Sequence, residues 1–407
     1  MDSVQIMWAL LPLDKNSSSF SLAVGTPDGL RKMLGSRYGK LTRRIDCYEW
    51  SVHESVKCLV ADGTVSLEHT EDDFSRPCTA IGMITRMLYF RYEKKALSGW
   101  DILAASFVRN NSLYLKESLI SCAADWQLSG SFLKWLILEN RWHSTLSDCS
   151  EWVIETTSEL PIPAIGGIVR YVPDLEPYYR RNEWMLCGAV VLVSVTGMLC
   201  GLDTIGSAMR AHEIRTLLGK ALTEELMAVV PFSRDENLEY AARVCAYLEN
   251  TCSEDAWPGL GENLIFRICS SVLPALISYQ KKNNRVPPCL CFVLSSLIML
   301  YSGIRVAPDG GYSLFTGQDN INIEDSERGL KEFSKMSCDM SPESLAYAAL
   351  SDQEIWGIDL RVIPHIEEMI VKQLGDMQLL GMRSAISAWA GWSEDRNPAD
   401  TLSEEGI

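Results

Sequence analysis

Residues 177–209 of the chain read PYYRRNEWMLCGAVVLVSVTGMLCGLDTIGSAM. Between Met185 and Leu202 the only clearly polar side chains are those of Ser194 and Thr196. An uncharged run of this length could cross a membrane, but it contains three glycines and has no basic flank directly after it. A helix that is apolar on every side is typical of the core of a large domain. The stretch therefore predicts a buried core helix and no membrane span.

The composition is typical of a large protein with an acidic surface. The chain has 407 residues, of which 47% are hydrophobic, and a formal net charge of −16. This length predicts two domains. The acidic balance repels phosphate backbones, so we expect no nucleic-acid partner. The 13 cysteines are odd in number and include no CxxC pair, which favours reduced thiols and a cytoplasmic location without a secretory signal.

Hydrophobic periodicity divides the chain into an α/β part and a helical part. Residues 1–172 alternate strand-like and helix-like segments, whereas residues 173–392 are almost wholly helical in pattern apart from an irregular loop at 307–322. Residues 393–407 are acidic and predict a flexible tail. The predicted fold class is α/β plus all-α, with a truncated Rossmann-like amino-terminal domain followed by a large helical domain. Within the first part, strands are expected at 4–11, 57–61 and 101–108, and helices at 79–95, 114–125 and 130–139.

Several segments together resemble one family of dehydrogenases. Pro177 and Tyr178 are followed by the apolar helix, by GLDTIGSAM at 201–209, and by a further expected helix. Upstream, Asn111 and the sequence STLSD at 144–148 fit the same pattern. In these features, which extend over most of the chain, the sequence resembles the long-chain polyol dehydrogenases. This is the mannitol dehydrogenase family, and the resemblance is greatest to its tagaturonate reductase (altronate oxidoreductase) branch.

The resemblance implies a catalytic role for the apolar helix. In the family this helix contains a lysine that acts as general base and acid on the substrate hydroxyl, and an asparagine and a histidine that hold the carbonyl oxygen. Those places fall at Asn182, Cys187 and Val190 in this chain. An amide does not titrate, a thiol is a poor donor and a valine forms no side-chain hydrogen bond. We therefore predict that dehydrogenase chemistry has been lost.

The resemblance also implies a nicotinamide cofactor. Its pyrophosphate would rest on a glycine-rich turn at the amino terminus of a helix. The sequence contains no GxGxxG motif and no P-loop motif. We interpret the chain as beginning after the unit that contains this turn, and predict that NAD binds weakly or not at all and that no cofactor is used. A wrongly assigned start codon is the alternative, and NAD would then be the cofactor.

Candidate site residues fall in the segments that would frame the cleft. His143 could act as an acid or base, but a surface or packing role is the favoured interpretation. Asp148 matches a family residue, and capping or orienting a neighbouring loop is the alternative. The arginines could bind an anionic oxygen or form salt bridges between domains, and the aromatic residues could line a pocket or pack between domains. The histidines are scattered, which predicts no metal site. The candidate catalytic residues are His143, Asp148, Asn182 and Cys187. The candidate substrate-binding residues are Asn111, Trp142, Tyr178, Tyr179, Arg180, Arg181, Trp184 and Arg267.

Three functions remain open on the sequence. The main hypothesis is a non-redox enzyme of specialised metabolism that isomerises, dehydrates or cyclises a hydrophobic, oxygenated small molecule. Positioning alone can contribute roughly 7–11 kcal/mol to such a reaction in the best cases. The first alternative is an NAD-dependent oxidoreductase of the tagaturonate reductase or mannitol dehydrogenase type. The second is a non-catalytic protein that binds a metabolite or a partner chain. A small-molecule substrate is expected in the first two cases, and the oligomeric state is left open.

Overall fold

The chain forms an α/β unit followed by a mainly helical unit, which confirms the predicted fold class. The two compact units are Met1–Tyr179 and Arg180–Ile407. A computed structural model describes residues 5–10, 21–25, 54, 56–62, 73–75, 77, 79–95, 98–105, 108–148, 151–157, 160, 169–250, 262–306, 310–315 and 320–391. The predicted tail at 393–407 lies outside these residues.

A seven-stranded sheet forms the centre of the first unit. Its strands are β1 (Gln5–Leu10), β2 (Ser21–Gly25), β3 (Val56–Asp62), β4 (Asp101–Ala105), β5 (Arg141–Ser147), β6 (Trp152–Glu155) and β7 (Val169–Val172). They lie in the order β2-β1-β3-β4-β5-β6-β7, and β1, β3, β4 and β5 run parallel. Parallel strands are typically covered on both faces. Accordingly, Leu59, Val60, Ile102 and Leu103 are fully buried.

Three helices of the described residues lie in this unit, and two of their starts follow from the local sequence. They are α1 (Ala80–Glu93), α2 (Asn111–Asp125) and α3 (Gly130–Leu138). The hydroxyl of Thr79 accepts the N–H of Gly82 at 3.0 Å, and the hydroxyl of Ser129 accepts the N–H of Phe132 at 3.2 Å. Such side chains satisfy amide groups that have no partner within the helix. The three predicted helices are confirmed, and α2 begins three residues earlier than predicted.

The second unit is built from α-helices interrupted by three π-helical segments. The α-helices are α4 (Glu176–Arg181), α5 (Gly188–Leu199), α6 (Ile205–Arg210), α7 (His212–Lys220), α8 (Arg234–Asn250), α9 (Leu264–Arg267), α10 (Leu273–Asn283), α11 (Pro288–Tyr301), α12 (Glu327–Phe333), α13 (Pro342–Ser351), α14 (Gln353–Trp356), α15 (Ile366–Leu380) and α16 (Met382–Ala390). The π-helices are π1 (Asn182–Cys187), π2 (Ala221–Leu226) and π3 (Ile268–Val272). A short 3₁₀ turn spans Leu360–Val362.

The apolar stretch is a core helix, as predicted. Residues 176–199 form one continuous helix of 24 residues, consisting of α4, π1 and α5. By length and composition this helix could cross a membrane, but 78% of its apolar window is buried inside the protein. Val191, Val193 and Val195 are fully buried, so successive faces of α5 all contact protein. This burial is typical of the central helix of a soluble domain.

The central helices are also held by buried polar contacts. Gln373 on α15 is fully buried; its amide donates to the carbonyl of Pro288 at 2.8 Å and its oxygen accepts the Ser295 hydroxyl at 2.9 Å. Both partners belong to α11. Because buried polar groups destabilise a fold unless they are paired, these bonds specify how α15 packs on α11.

The second unit contains a small sheet that the sequence did not predict. Strands β8 (Ile304–Val306), β9 (Tyr312–Phe315) and β10 (Asn320–Asn322) pair antiparallel in the order β10-β9-β8. The prediction of an irregular loop at 307–322 is therefore wrong for the strand residues. The glycines and polar residues of this region resemble a loop locally. The pairing of β9 with both neighbours supplies backbone hydrogen bonds that local sequence does not reveal.

Candidate functional site

A π-helix builds the first part of the candidate site. In a π-helix the backbone bonds run from i to i+5, so residues five apart lie above one another. Asn182 and Cys187 are five apart, and the Cys187 Sγ lies 3.9 Å from the Asn182 Oδ1. In an α-helix, with its period of about 3.6 residues, they would point in different directions. We call Asn182, Cys187 and Val190 the site face, because Val190 follows Cys187 by three residues in α5 and shares its side of the helix.

The chemistry of the site face is that of neutral groups. Asn182 is buried, and Cys187 and Val190 are partly exposed. Burial raises the pKa of the Cys187 thiol to about 11, while the charge of Arg267 lowers it and that of Glu183 raises it. The thiol is therefore protonated at neutral pH. It can donate a weak hydrogen bond, but it is not the thiolate that nucleophilic catalysis requires.

Arg267 brings a positive charge to the site face. It is the last residue of α9 and directly precedes π3, which packs against π1. Its backbone carbonyl accepts the Ser271 hydroxyl at 2.6 Å, and its charge acts on Cys187. Among the residues that the structure describes, the guanidinium of Arg267 has no ion pair and no hydrogen-bond partner. A partly buried cation of this kind suits an anionic ligand.

The start of α9 is held by an acidic residue from a later loop. Asp325 accepts the N–H of Ile265 at 2.9 Å and the hydroxyl of Tyr301 at 2.8 Å. Asn263, at the helix start, has a φ of 55° and provides no side-chain cap of its own. Asp325 therefore replaces the missing cap and ties α9 to α11. This contact fixes the short helix that presents Arg267.

Two neighbouring arginines have aromatic partners. The guanidinium carbon of Arg181 lies 4.4 Å from the ring centre of Phe232 and 4.1 Å from that of Tyr240. Arg181 is only 2% exposed, so it packs within the core of the second unit. Arg180 stacks over Trp184 at 5.5 Å. Their role in substrate binding stays a prediction, as does that of Trp184.

His143 belongs to a buried polar cluster in the first unit. Its Nε2 lies 2.9 Å from the Asp101 Oδ1, and its Nδ1 lies 3.4 Å from the Glu155 carbonyl oxygen. Arg141 donates to the other Asp101 oxygen at 2.6 Å. Asp101 opens β4 and His143 lies in the first half of β5. In open α/β sheets ligands bind beyond the carboxyl ends of the strands, so this cluster lies away from that edge. A catalytic role for His143 stays a prediction.

The carboxyl ends of β4 and β5 are lined by polar side chains. The Asn111 amide donates to the Thr145 carbonyl at 2.7 Å, and its oxygen accepts the Thr145 N–H at 3.2 Å. The Tyr179 hydroxyl also donates to the Thr145 carbonyl, at 3.3 Å. The hydroxyls of Ser112 and Ser144 lie 2.7 Å apart. Asn111 and Tyr179 thus hold the backbone of this edge in place.

The other candidates in the first unit lie nearby along the chain. Asp148 accepts the Glu151 N–H at 2.9 Å and forms a tight turn before β6. Trp142 packs against the core of the first unit, with the Lys116 amine 5.7 Å from its ring centre. Tyr178 lies 5.9 Å from the Arg170 guanidinium. Their roles toward a substrate remain predictions.

The same edge fits part of a dinucleotide. Helix α2 begins here, after Asn110 with φ 55° and without a side-chain cap, and an uncapped helix start favours phosphate oxygens. The hydroxyls of Ser112 and Ser144 suit ribose oxygens. The printed sequence has no GxGxxG turn, so the described residues supply donors for part of a dinucleotide but no glycine-rich seat for its pyrophosphate.

No group of three or more histidine, cysteine, aspartate or glutamate side chains that could hold a metal occurs in the described part of the chain. No disulfide joins the cysteines of this part, and several of them are buried.

Sequence reasoning missed Glu183 and the three π-helices. No local signal in the sequence marks π1. Residues five apart share a side only where the backbone bonds run from i to i+5.

The fold and the site together define a protein of the polyol dehydrogenase class. It has an α/β unit with four parallel strands, followed by a helical unit with a buried central helix. Residues 174–378 match the family described as the mannitol dehydrogenase C-terminal domain. The chain belongs to the mannitol dehydrogenase family.

Similar proteins agree with this assignment. The altronate oxidoreductase of Yersinia enterocolitica is 27% identical over 363 residues, covering 78% of this chain and 73% of the relative. That of Klebsiella pneumoniae strain 342 is 26% identical over 362 residues, with coverage of 78% and 73%. Among solved structures, a substrate-free D-sorbitol dehydrogenase has a TM-score of 0.65 at 12% identity, covering 94% of this chain and 83% of that one. The Pseudomonas fluorescens mannitol 2-dehydrogenase complex with NAD and D-mannitol has a TM-score of 0.51 at 12% identity, with coverage of 94% and 82%.

These comparisons contradict three predictions. Relatives named oxidoreductases and dehydrogenases contradict a non-redox isomerase, dehydratase or cyclase of specialised metabolism, and also contradict the loss of dehydrogenase activity. They also contradict the prediction that the protein uses no cofactor. The relatives are named oxidoreductases, and the mannitol 2-dehydrogenase of similar fold was solved in complex with NAD. The prediction of lost dehydrogenase activity depended on the side chains at 182, 187 and 190 alone and did not consider the backbone of the helix that contains them. Helix π1 still aligns positions 182 and 187, so the site face is built even though its chemistry has changed.

Proposed function

We propose that the protein is a soluble, cytoplasmic NAD-dependent oxidoreductase that interconverts a hydroxyl and a carbonyl group on a sugar acid of the altronate type. The observation that supports an acidic substrate is Arg267, a cation next to Cys187 that has no partner among the described residues. The names of the altronate oxidoreductases support the same class. Arg267 would bind the carboxylate of the substrate in a charge-assisted hydrogen bond.

The remaining residues of the site face would orient the substrate. The Asn182 amide can both donate and accept a hydrogen bond, and the Cys187 thiol can donate a weak one. Val190 would form an apolar wall beside the reacting carbon. NAD, when bound, would accept or return the hydride at that carbon. Within the first unit, Ser112, Ser144 and the start of α2 are the described groups whose chemistry suits parts of NAD.

The proposal is tested with the purified protein, either NAD⁺ or NADP⁺, and three substrates in parallel. We expect reduced nicotinamide to form with altronate, and more slowly or not at all with mannitol and sorbitol. A calorimetric titration of the protein with NADH would show whether the cofactor binds independently of turnover. Absence of both turnover and NADH binding under all these conditions would contradict the proposed function.

Replacing Arg267 by methionine is expected to lower kcat/KM for altronate by about 10- to 100-fold. The physical reason is the loss of a charge-assisted hydrogen bond worth roughly 1.5–3 kcal/mol. Arg267→Lys should retain part of the rate, because the charge remains while the planar fork is lost. Any turnover of neutral mannitol should change little. Steady-state kinetics with the three substrates measures these effects.

Arg328→Met is the matched control, because Arg328 is 83% exposed on α12 and its ion pair with Glu354 is also at the surface. This variant loses the same charge and should keep wild-type kinetics. Equal losses for altronate in both variants would show that Arg267 acts only through net charge.

A further inference from the structure

Interconversion of an alcohol and a carbonyl moves a proton as well as a hydride, and a positioned side chain commonly handles that proton. None of the three side chains of the site face can accept it. The Asn182 amide does not titrate, the Cys187 thiol already holds its proton because burial raises its pKa to about 11, and Val190 is apolar. The guanidinium of Arg267 has only hydrogen-bond donors. A different residue is needed for this purpose.

Glu183 is the candidate for this role. It lies four residues before Cys187 on the same helix, so the two side chains are neighbours on the helix surface, and its carbonyl accepts the N–H of Gly188 in the i to i+5 pattern. Its charge acts on the Cys187 thiol, as does the charge of Arg267. Glu183 and Arg267 therefore both lie within electrostatic reach of the Cys187 sulfur. In the described part of the second unit, Glu183 is the only carboxylate with this effect on Cys187.

The backbone leaves room beside Glu183. Gly188 lies five residues after it and so occupies the next turn of the π-helix above it. A Cβ atom added to Gly188 would meet nothing within 4 Å. The position above Glu183 therefore has no side chain and no neighbour that would block a small ligand. Glu183 itself is partly exposed, so its side chain is accessible to solvent.

We propose that Glu183 is the proton-transfer residue of this enzyme. The inference rests on the proposed oxidoreductase function. In the direction of oxidation, the O–H bond of the substrate breaks and its proton goes to a carboxylate oxygen of Glu183. The electron pair left on oxygen forms the carbonyl as the carbon-bound hydrogen leaves with its own pair to the nicotinamide oxidant. In the reverse direction Glu183 returns the proton.

Kinetics of Glu183→Gln provides the first test. The amide has nearly the same shape but cannot accept the proton, so kcat for altronate should fall by about 10²- to 10⁴-fold. The acid limb of the pH profile of kcat/KM should disappear, and Glu183→Asp should restore part of the rate. Glu224→Gln is the matched control, since Glu224 is exposed on π2 and should leave the kinetics unchanged. If the wild-type protein turns altronate over and Glu183→Gln has the same rate and pH profile, the role of Glu183 is overturned while the proposed oxidoreductase function stands.

Alkylation of Cys187 provides a second readout that does not require turnover. The rate of iodoacetamide labelling at Cys187, followed by mass spectrometry as a function of pH, reports the pKa of this thiol. Glu183→Gln should move the midpoint to lower pH, because a negative charge is removed, and Arg267→Met should move it to higher pH. A midpoint that is the same in Glu183→Gln and wild type would show that Glu183 is not beside the site face. Wild-type protein that lacks turnover but shows both shifts would instead contradict the proposed function while supporting the geometry.

Discussion

Replacing Glu225 by alanine is expected to lower the free energy of unfolding by roughly 3–5 kcal/mol. Glu225 lies in π2 and is only 2% exposed. Its two carboxylate oxygens accept the backbone N–H groups of Cys289 at 2.7 Å and Leu290 at 2.9 Å. These are the first amides of α11, a helix that begins at Pro287 without a side-chain cap. Alanine would leave both amides buried and without acceptors, and would open a cavity beside them.

Urea denaturation followed by circular dichroism measures this loss. Glu224→Ala is the matched control, because Glu224 is the adjacent residue of π2 and is exposed. We expect the control to change stability by no more than about 0.5 kcal/mol. A loss below about 1 kcal/mol in Glu225→Ala would mean that another group or a water molecule replaces the carboxylate as the cap of α11.

The same carboxylate should make stability depend on pH. Burial raises the pKa of Glu225 to about 7, against the opposing effects of its backbone bonds to Cys289 and Leu290 and the charge of Lys220. The thiols of Cys289 and Cys291 also lie within electrostatic reach of Glu225. Because the folded-state pKa lies above the value of about 4.3 for an unfolded chain, the folded protein binds this proton more tightly. The stabilisation is fully present below the unfolded pKa and is lost as the pH rises through about 7.

Its size follows from linkage and is about 3–4 kcal/mol. Wild-type protein should therefore lose about that much more stability between pH 4.5 and pH 8 than Glu225→Gln, whose side chain does not titrate. Denaturant unfolding at several pH values across this window measures the difference. Parallel curves for the two proteins would show that Glu225 keeps an ordinary pKa in the folded state.

Gly99→Ala is expected to destabilise the first unit by about 3 kcal/mol or more. An added Cβ atom would lie 2.0 Å from the Glu139 carbonyl oxygen, 2.5 Å from its carbon and 2.9 Å from the Asn140 nitrogen. All three are backbone atoms and cannot move aside easily. The adjacent backbone is held as well, because the Trp100 N–H donates to the Asn140 side chain at 2.9 Å and the Arg141 N–H donates to the Trp100 carbonyl at 2.9 Å.

Gly130→Ala in the same unit is the control. Gly130 is the first residue of α3, and a Cβ atom there meets nothing within 4 Å. Alanine loses less backbone entropy than glycine on folding and is expected to raise stability by about 0.4–1 kcal/mol. Chemical denaturation monitored by tryptophan fluorescence, with Trp100 fully buried beside Gly99, compares the two variants. Similar stabilities for both would contradict the close approach of the two segments.

Much of the fold could be predicted because its signals are local. Thr79 and Ser129 mark the starts of two helices, and Ser341 with Pro342 marks the start of α13; all three caps are present. The apolar run from Met185 to Leu202 predicted a core helix because no charge interrupts it. The family could be predicted too, since the motifs at 144–148 and 201–209 are contiguous in the sequence.

The predictions that were wrong concern features that depend on distant contacts. Strands β9 and β10 are short and polar, and only their pairing with each other and with β8 identifies them. The function was mispredicted because the replaced residues at 182, 187 and 190 were judged one at a time. Their meaning depends on which titratable groups lie around them, and Glu183 and Arg267 become neighbours of Cys187 only when π1 and π3 form and pack.

The sequence by itself determined the two-part architecture, the helix at the centre of the second part and the membership of a dehydrogenase family, because composition, caps and contiguous motifs encode these properties locally. Tertiary structure alone decided that Asn182 and Cys187 share a side of the helix and that Arg267 faces them. It also decided that Glu225 caps a helix more than sixty residues away in the sequence. A change from α to π backbone bonding and a buried hydrogen bond between distant segments have no local signature, since the packing of the whole unit stabilises them.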